Sequence, residues 1–315
     1  MTGSRSAAVD PARPVSPGGT REASVFAGRR HDADPRVDAD WTRRRVLATN
    51  LRALVGRAYP RIRGMAREPS WVLFEILLPF LTTSAFVLVY RALAAPEAYV
   101  GFVVLGGALS AFWLNVVWMM ASQLYWEKSQ GNLELYFAAP MNLMSVLLGM
   151  AIGGLVMSST RAIAVLVVAS LVYGVAFDVQ QWLLLGVVFL LTMTALYGLG
   201  MMLASLFLLW SREAWNLANL MIEPIWFVSG LNFPVGRLGM LGALAIATIP
   251  FAVGLDAMRQ LVFADQASLL GTPAPEVEAL ILVAMTAVFV ALARWMMRTI
   301  ERMARGRGSL SIRWQ

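Results

Sequence analysis

The chain has 315 residues, 58% of them hydrophobic and only 14% charged, with a mean hydropathy of +0.65 and a net charge of +7. Soluble domains carry about a quarter charged residues, so this balance excludes a water-soluble globular protein and indicates a polytopic α-helical membrane protein. The absence of cysteine excludes disulfide and thiol chemistry, and the single histidine, His31, lies in a polar tail, which excludes a His-based metal site or general base in the apolar body.

Residues 1–40 hold six arginines and six acidic residues among Pro, Gly, Ser and Ala, without apolar periodicity or the apolar core of a signal peptide. A disordered tail is predicted. Residues 41–70 carry eight arginines against one glutamate, and residues 294–315 six against one. Both clusters flank apolar segments, so they read as topology signals and lipid-headgroup contacts, not as a nucleic-acid surface. Leu47, Leu51, Leu54, Val55, Ala58 and Ile62 recur at helical spacing while Arg45 and Arg52 project elsewhere. That pattern predicts an amphipathic helix over 41–70, lying in the headgroup plane and kinked or ended at Pro60.

The transmembrane domain spans 71–300, followed by a basic tail at 301–315. Spans are predicted at 71–90, with Pro79 inside, and at 99–122, with Gly106 and Gly107 permitting close approach. Further spans are expected at 143–177, 182–210, 215–231 and 277–297. The stretch 143–177 is too long for one straight crossing, so it is strongly tilted or begins along the surface. Residues 238–255 form either another crossing or two half-depth helices broken at Pro250. Two arginine-rich ends on one side demand an even number of crossings. The expected fold is therefore all-α, with six transmembrane helices, an N-terminal interfacial helix and a re-entrant outer hairpin within 232–276.

Between the second and third spans lies a polar island, 125–140, YWEKSQGNLELYFAAP, holding the only lysine, Lys128. It is predicted to be a tight turn at the same surface as Arg212 and Glu213. No G-x-x-x-x-G-K-[ST] pattern occurs, because Lys128 follows Glu127; an ATP-driven process would need the ATPase in another chain. Catalytic and metal sites are not predicted. At membrane depth stand Glu75, Arg161 and Glu223, with Asn115 as a further polar residue of the transport path and Asp256 and Arg259 in the outer segment. Arg161 is expected either to pair with Glu75 or Glu223 and fix helix order, or to line a transport path with them. The methionines and aromatics of the spans, Trp113, Met120 and Met201 among them, either line a cavity for hydrophobic cargo or simply pack.

Three stretches together resemble the permease subunits of type-2 ABC transporters. The first runs from Glu127 and Lys128 through Gly131, Leu133 and Glu134 to Pro140, similar to that family's cytoplasmic coupling loop. The second is Pro224 to Pro234, with Ser229, Gly230 and Phe233, similar to the family's exit from the fifth span. The third runs from Pro250 to Arg259, similar to its outer helices. A departure stands at Arg237-Leu238-Gly239, where the family often has Leu-Pro. The resemblance implies a dimer, homo- or heteromeric, with each permease docking a separate P-loop ATPase that carries ATP and Mg, while this chain binds no cofactor. Glu127 and Glu134 would offer charge to basic residues of the ATPase, with Arg212 and Glu213 nearby. Ser229, Gly230, Phe233, Pro234, Pro250 and Arg259 would form an outer gate. It further implies a bacterial plasma membrane, cytoplasmic termini, and export of a drug, lipid, glycan or small peptide.

Two other classes compete. An ion-driven secondary transporter would need paired broken helices with mid-depth carboxylates, of which Glu223-Pro224 is the one instance. A membrane-embedded transferase would need an acidic cluster at one interface, whereas Asp178, Asp256 and Asp265 are scattered.

Overall fold

The computed structural model describes residues 35–65, 67, 69–139, 141–179, 181–209, 216, 220, 225–234, 239, 240, 242, 244, 248–263 and 273–307. Of two compact units, the first, Met1–Arg45, is described only from residue 35, the start of α1. The remaining geometry concerns the second unit, Val46–Gln315.

Helix α1, Pro35–Met65, runs through Pro60 instead of ending there. The proline ring removes the bond to the carbonyl four residues back, which belongs to Gly56. Gly56 and Pro60 are both exposed, so the freed carbonyl meets solvent or headgroups and the helix survives. Helix α2, Pro69–Ala92, likewise continues through Pro79. Only 11% of its most apolar window is buried, leaving Leu73, Phe74, Leu78, Leu81 and Leu88 without protein cover.

Helix α3, Ala98–Leu114, passes into a π-helical segment, Asn115–Ala121, and then into α4, Gln123–Ser129. This is the central element, with 94% of its apolar window buried. Gly106 and Gly107 provide the close approach read from the sequence. A methyl at Gly107 would strike Thr83 of α2, and one at Gly106 the Leu231 carbonyl. After a short α5, Asn132–Ala138, helix α6 runs unbroken from Leu143 to Tyr173. Its 31 residues extend about 46 Å at 1.5 Å per residue, well beyond ~30 Å of hydrocarbon. The surface segment considered for its start is therefore helix, capped by Asn142, whose side chain accepts from the Met144 N–H.

Helix α7 covers Trp182–Leu209, α8 Pro250–Val262 and α9 Pro275–Arg307. Ile249 is extended and Pro250 occupies the first turn of α8, so 238–255 is not one continuous crossing helix. At 13 residues α8 is too short to span, and 12 of those residues are buried against α3, α7 and α9. Among the described residues, five helices are long and apolar enough to cross a membrane: 72–92, 98–129, 143–173, 182–208 and 275–300. The predicted fifth span, 215–231, falls largely outside the described residues. Among the described residues the fold is all-helical, apart from a single bridge between Asp178 and Phe263.

Candidate functional site

The polar island folds as two short helices, α4 and α5, hinged at Gly131. Its φ of 77° is left-handed, a conformation open to glycine without steric cost. The hinge closes through the Gly131 N–H donating to the Lys128 carbonyl at 3.1 Å. Leu133 then turns inward and is 2% exposed, anchoring α5 in the core.

Glu127 lies at the centre of the turn and is 3% exposed. Its carboxylate accepts from the Arg57 guanidinium of α1 as an ion pair, from Gln123 Nε2 at 2.8 Å and from the Tyr136 hydroxyl at 3.0 Å. One buried carboxylate therefore joins α1, α4 and α5, with charge-assisted bonds of the stronger kind. Burial, more than the neighbouring charges, pushes the Tyr136 hydroxyl above the usual phenol range, so Tyr136 remains a donor. Within the chain, the Glu127 carboxylate faces inward to these partners.

Helix α1 is seated on α6 where Gly149 and Gly153 leave room. A methyl at Gly149 would strike the Leu54 carbonyl, and at Gly153 it would press on Ala58 and Arg61. Asn50 Oδ1 accepts from the Asn142 N–H at 2.8 Å, tying α1 to the first turn of α6. Val46, Leu47, Leu51, Val55 and Tyr59 face away from the protein, while Ala58, expected on that apolar face, is buried in it.

Among the described residues, the turn presents two large apolar side chains outward. Trp126 and Leu135 are exposed on α4 and α5, flanked by the exposed Ser129 and Gln130. In the sequence the acidic residues stand out more than this pair, for which a tryptophan inside a polar island is the available signal.

Deeper in the bundle, Arg161 Nη1 lies 3.0 Å from Glu75 Oε1, joining α6 to α2. Asn115, at the start of the π-helical segment, accepts from the Tyr197 hydroxyl at 3.4 Å. Gly154 leaves the space Asn115 fills, and Ser158 bonds the Ala111 carbonyl at 3.2 Å. The structure thus brings Glu75 to Arg161 and places Asn115 with Tyr197.

At the other end of α3, Arg259 of α8 is 1% exposed. It donates to the carbonyls of Gly230 at 2.5 Å, Leu231 at 2.9 Å and Phe102 at 2.9 Å, and lies over the Phe102 ring. Gly230 has a φ of 75°, which aims two successive carbonyls at one guanidinium. Tyr90 donates to the Asn232 carbonyl at 2.9 Å. Phe233 meets Phe227 edge-on at 5.6 Å, and Ser229 and Pro234 are buried.

The ABC-2 type transporter family model matches residues 50–263, about two thirds of the chain. This chain belongs to the ABC-2 type transporter family. The match begins within α1 and ends at Phe263, just past α8, so the α1 clamp, the α4–α5 turn and the Arg259 contacts all fall inside it. No curated protein matches the chain. As an ABC-2 permease subunit it is a transport component of the membrane and not itself a catalyst. Of the residues expected at the functional surfaces of this permease, Arg212, Glu213 and Glu223 lie outside the described residues, as do Pro140 and the Glu134 side chain. Among the described residues, no group of three or more His, Cys, Asp or Glu side chains is placed to hold a metal ion.

Proposed function

We propose that this permease works as one of two copies in an ATP-driven exporter, each docking a separate P-loop ATPase on its α4–α5 turn. The observation that carries this reading is the exposed pair Trp126 and Leu135 on a turn whose inner side is fixed by Glu127 and Leu133. Tryptophan is among the residues that most often form the energetic centre of a protein contact, and Leu135 adds apolar area beside it. In this reading Lys128, Glu134, Arg212 and Glu213 supply charge to the ATPase. ATP and Mg sit on the ATPase. Its closure moves the turn, and the 32-residue helix 98–129 carries that movement to Asn115 and towards Arg259.

The uncovered face of α2 is offered to the second copy or to lipid. The apolar ridge of α1 rests in the headgroup region, with Arg52 and Arg63 exposed beside it. The N- and C-termini are cytoplasmic in a bacterial plasma membrane, and six crossings with a re-entrant outer hairpin complete the topology. Cargo of the drug, lipid or glycan kind leaves past Arg259 and the 229–234 segment. The polar atoms of Glu75, Asn115 and Arg161 meet its polar groups.

The test is site-specific photocrosslinking from position 135 in native membranes. The reading expects a crosslink to a P-loop ATPase that is absent from the exposed position 88 on α2. Equal crosslinking from both positions, or none to an ATPase, refutes it.

A further inference from the structure

Helix α8 meets the last long helix, α9, at two acidic side chains that the transport reading leaves unused. Asp256 is 1% exposed and Glu278 is 0% exposed. Gln260 Nε2 stands within reach of three acceptors: Asp256 Oδ2 at 3.3 Å, Glu278 Oε2 at 3.2 Å and the Pro273 carbonyl at 3.0 Å. A primary amide carries two N–H groups and cannot satisfy all three at once. The other carboxyl oxygens, Asp256 Oδ1 and Glu278 Oε1, are buried without a hydrogen-bond partner, so the two carboxyl groups meet through the single Gln260 amide nitrogen.

Two ionised carboxylates that share one amide nitrogen out of water repel each other, and neither can donate a hydrogen bond. One proton removes both difficulties. It turns one group into a donor to the other and leaves a single negative charge. We propose that Asp256 and Glu278 bind one proton between them, so that a carboxyl–carboxylate hydrogen bond latches α8 to α9.

Among the described residues, the surrounding charges fit one proton and not two or none. Arg259, three residues from Asp256, acts on it electrostatically while its guanidinium is held by the carbonyls of Gly230, Leu231 and Phe102. One cation then faces one anion. The other helices packed on α8 add little: α7 contains Tyr197 and α3 contains Tyr99 as their titratable groups. Tyr90 faces Arg259. Glu276 of α9 is exposed, as is Asp178, whose N–H meets the Val262 carbonyl.

The test is infrared spectroscopy of the purified full-length protein together with thermal unfolding across pH. A carboxylic-acid carbonyl band is expected at neutral pH, lost in Asp256→Asn and in Glu278→Gln. In the wild type the folded state keeps a proton that the unfolded chain releases above the ordinary carboxyl range. Stability therefore falls as pH rises, approaching ten-fold in the folding constant per pH unit for one proton. In Asp256→Asn an amide donates at every pH, and this slope disappears. Absence of the acid band from the wild type at neutral pH overturns the proposal whether or not the variants fold. Parallel pH profiles of wild type and Asp256→Asn overturn it also, as does stability that follows added sodium or calcium at fixed pH.

Discussion

Arg57 and Glu127, 70 residues apart in the chain, form an ion pair that fastens the helix preceding the first span to the turn between the second and third. Glu127 is almost fully enclosed while Arg57 keeps part of its solvent contact. The two ends are therefore unequal. Losing Arg57 strands a buried charge, whereas losing Glu127 leaves a cation that can reach water.

Arg57→Met is accordingly expected to destabilise the protein by about 3 kcal/mol, the lower end for breaking a buried pair. Arg57→Met with Glu127→Leu should regain much of that loss, because no unpaired charge remains. Thermal unfolding of the single and double variants in one detergent measures both, and the coupling between them follows from the cycle.

Gly149→Val should separate α1 from α6 by placing a side chain against the Leu54 carbonyl. A disulfide between Asn50→Cys and Asn142→Cys reports this directly, since the native chain has no cysteine to compete. The crosslink is expected to form in the wild-type background and to be lost with valine at 149. A conservative Leu54→Ile change, which leaves the backbone carbonyl in place, should retain it.

Exchanging the charges of Glu75 and Arg161 tests the intramembrane pair. Glu75→Arg or Arg161→Glu alone sets like charges together in a buried site, so the yield of monodisperse protein should fall severely. The combined exchange should recover a large part of it. Size-exclusion profiles of the three variants decide.

Arg259→Lys should be poorly tolerated despite its retained charge. A planar guanidinium reaches three carbonyls at once, and a single ammonium on a flexible stem cannot match that fork. Transport is expected to fall by about ten-fold, the effect of roughly 1.4 kcal/mol, in line with the loss of one or two charge-assisted bonds. Transport assays at matched expression measure it.

Trp126→Ala and Leu135→Ala should each leave thermal stability within about 0.5 kcal/mol of wild type, because both residues are exposed. Trp126→Ala should weaken ATPase binding by ten-fold or more, as expected of a tryptophan at the centre of a contact, and Leu135→Ala by a smaller factor. Co-sedimentation with the ATPase and unfolding curves separate the two effects.

Much of this architecture was legible in the sequence because long apolar runs dictate helices wherever they occur. The island around Lys128 and the break at Pro250 were marked by local composition. Long-range partners were not marked. Nothing near Arg57 indicates that it faces inward to Glu127, since an arginine on an amphipathic helix reads as a headgroup contact. The π-helical segment at Asn115–Ala121 carries no local signature; it fits against Gly200 of α7, where a methyl would press on Val116 and Met120. Glu278 was overlooked because it falls at the start of an apolar span, where an acidic residue reads as a first-turn charge. Only the fold brings it to Asp256.

The most direct test of the central claim is purification of the permease from native membranes in gentle detergent, with mass spectrometry of its stoichiometric companions. The account predicts one P-loop ATPase per permease chain, retained in the wild type and lost on Glu134→Lys or Trp126→Ala while the permease stays folded. A folded permease that moves cargo with no ATPase companion would contradict it.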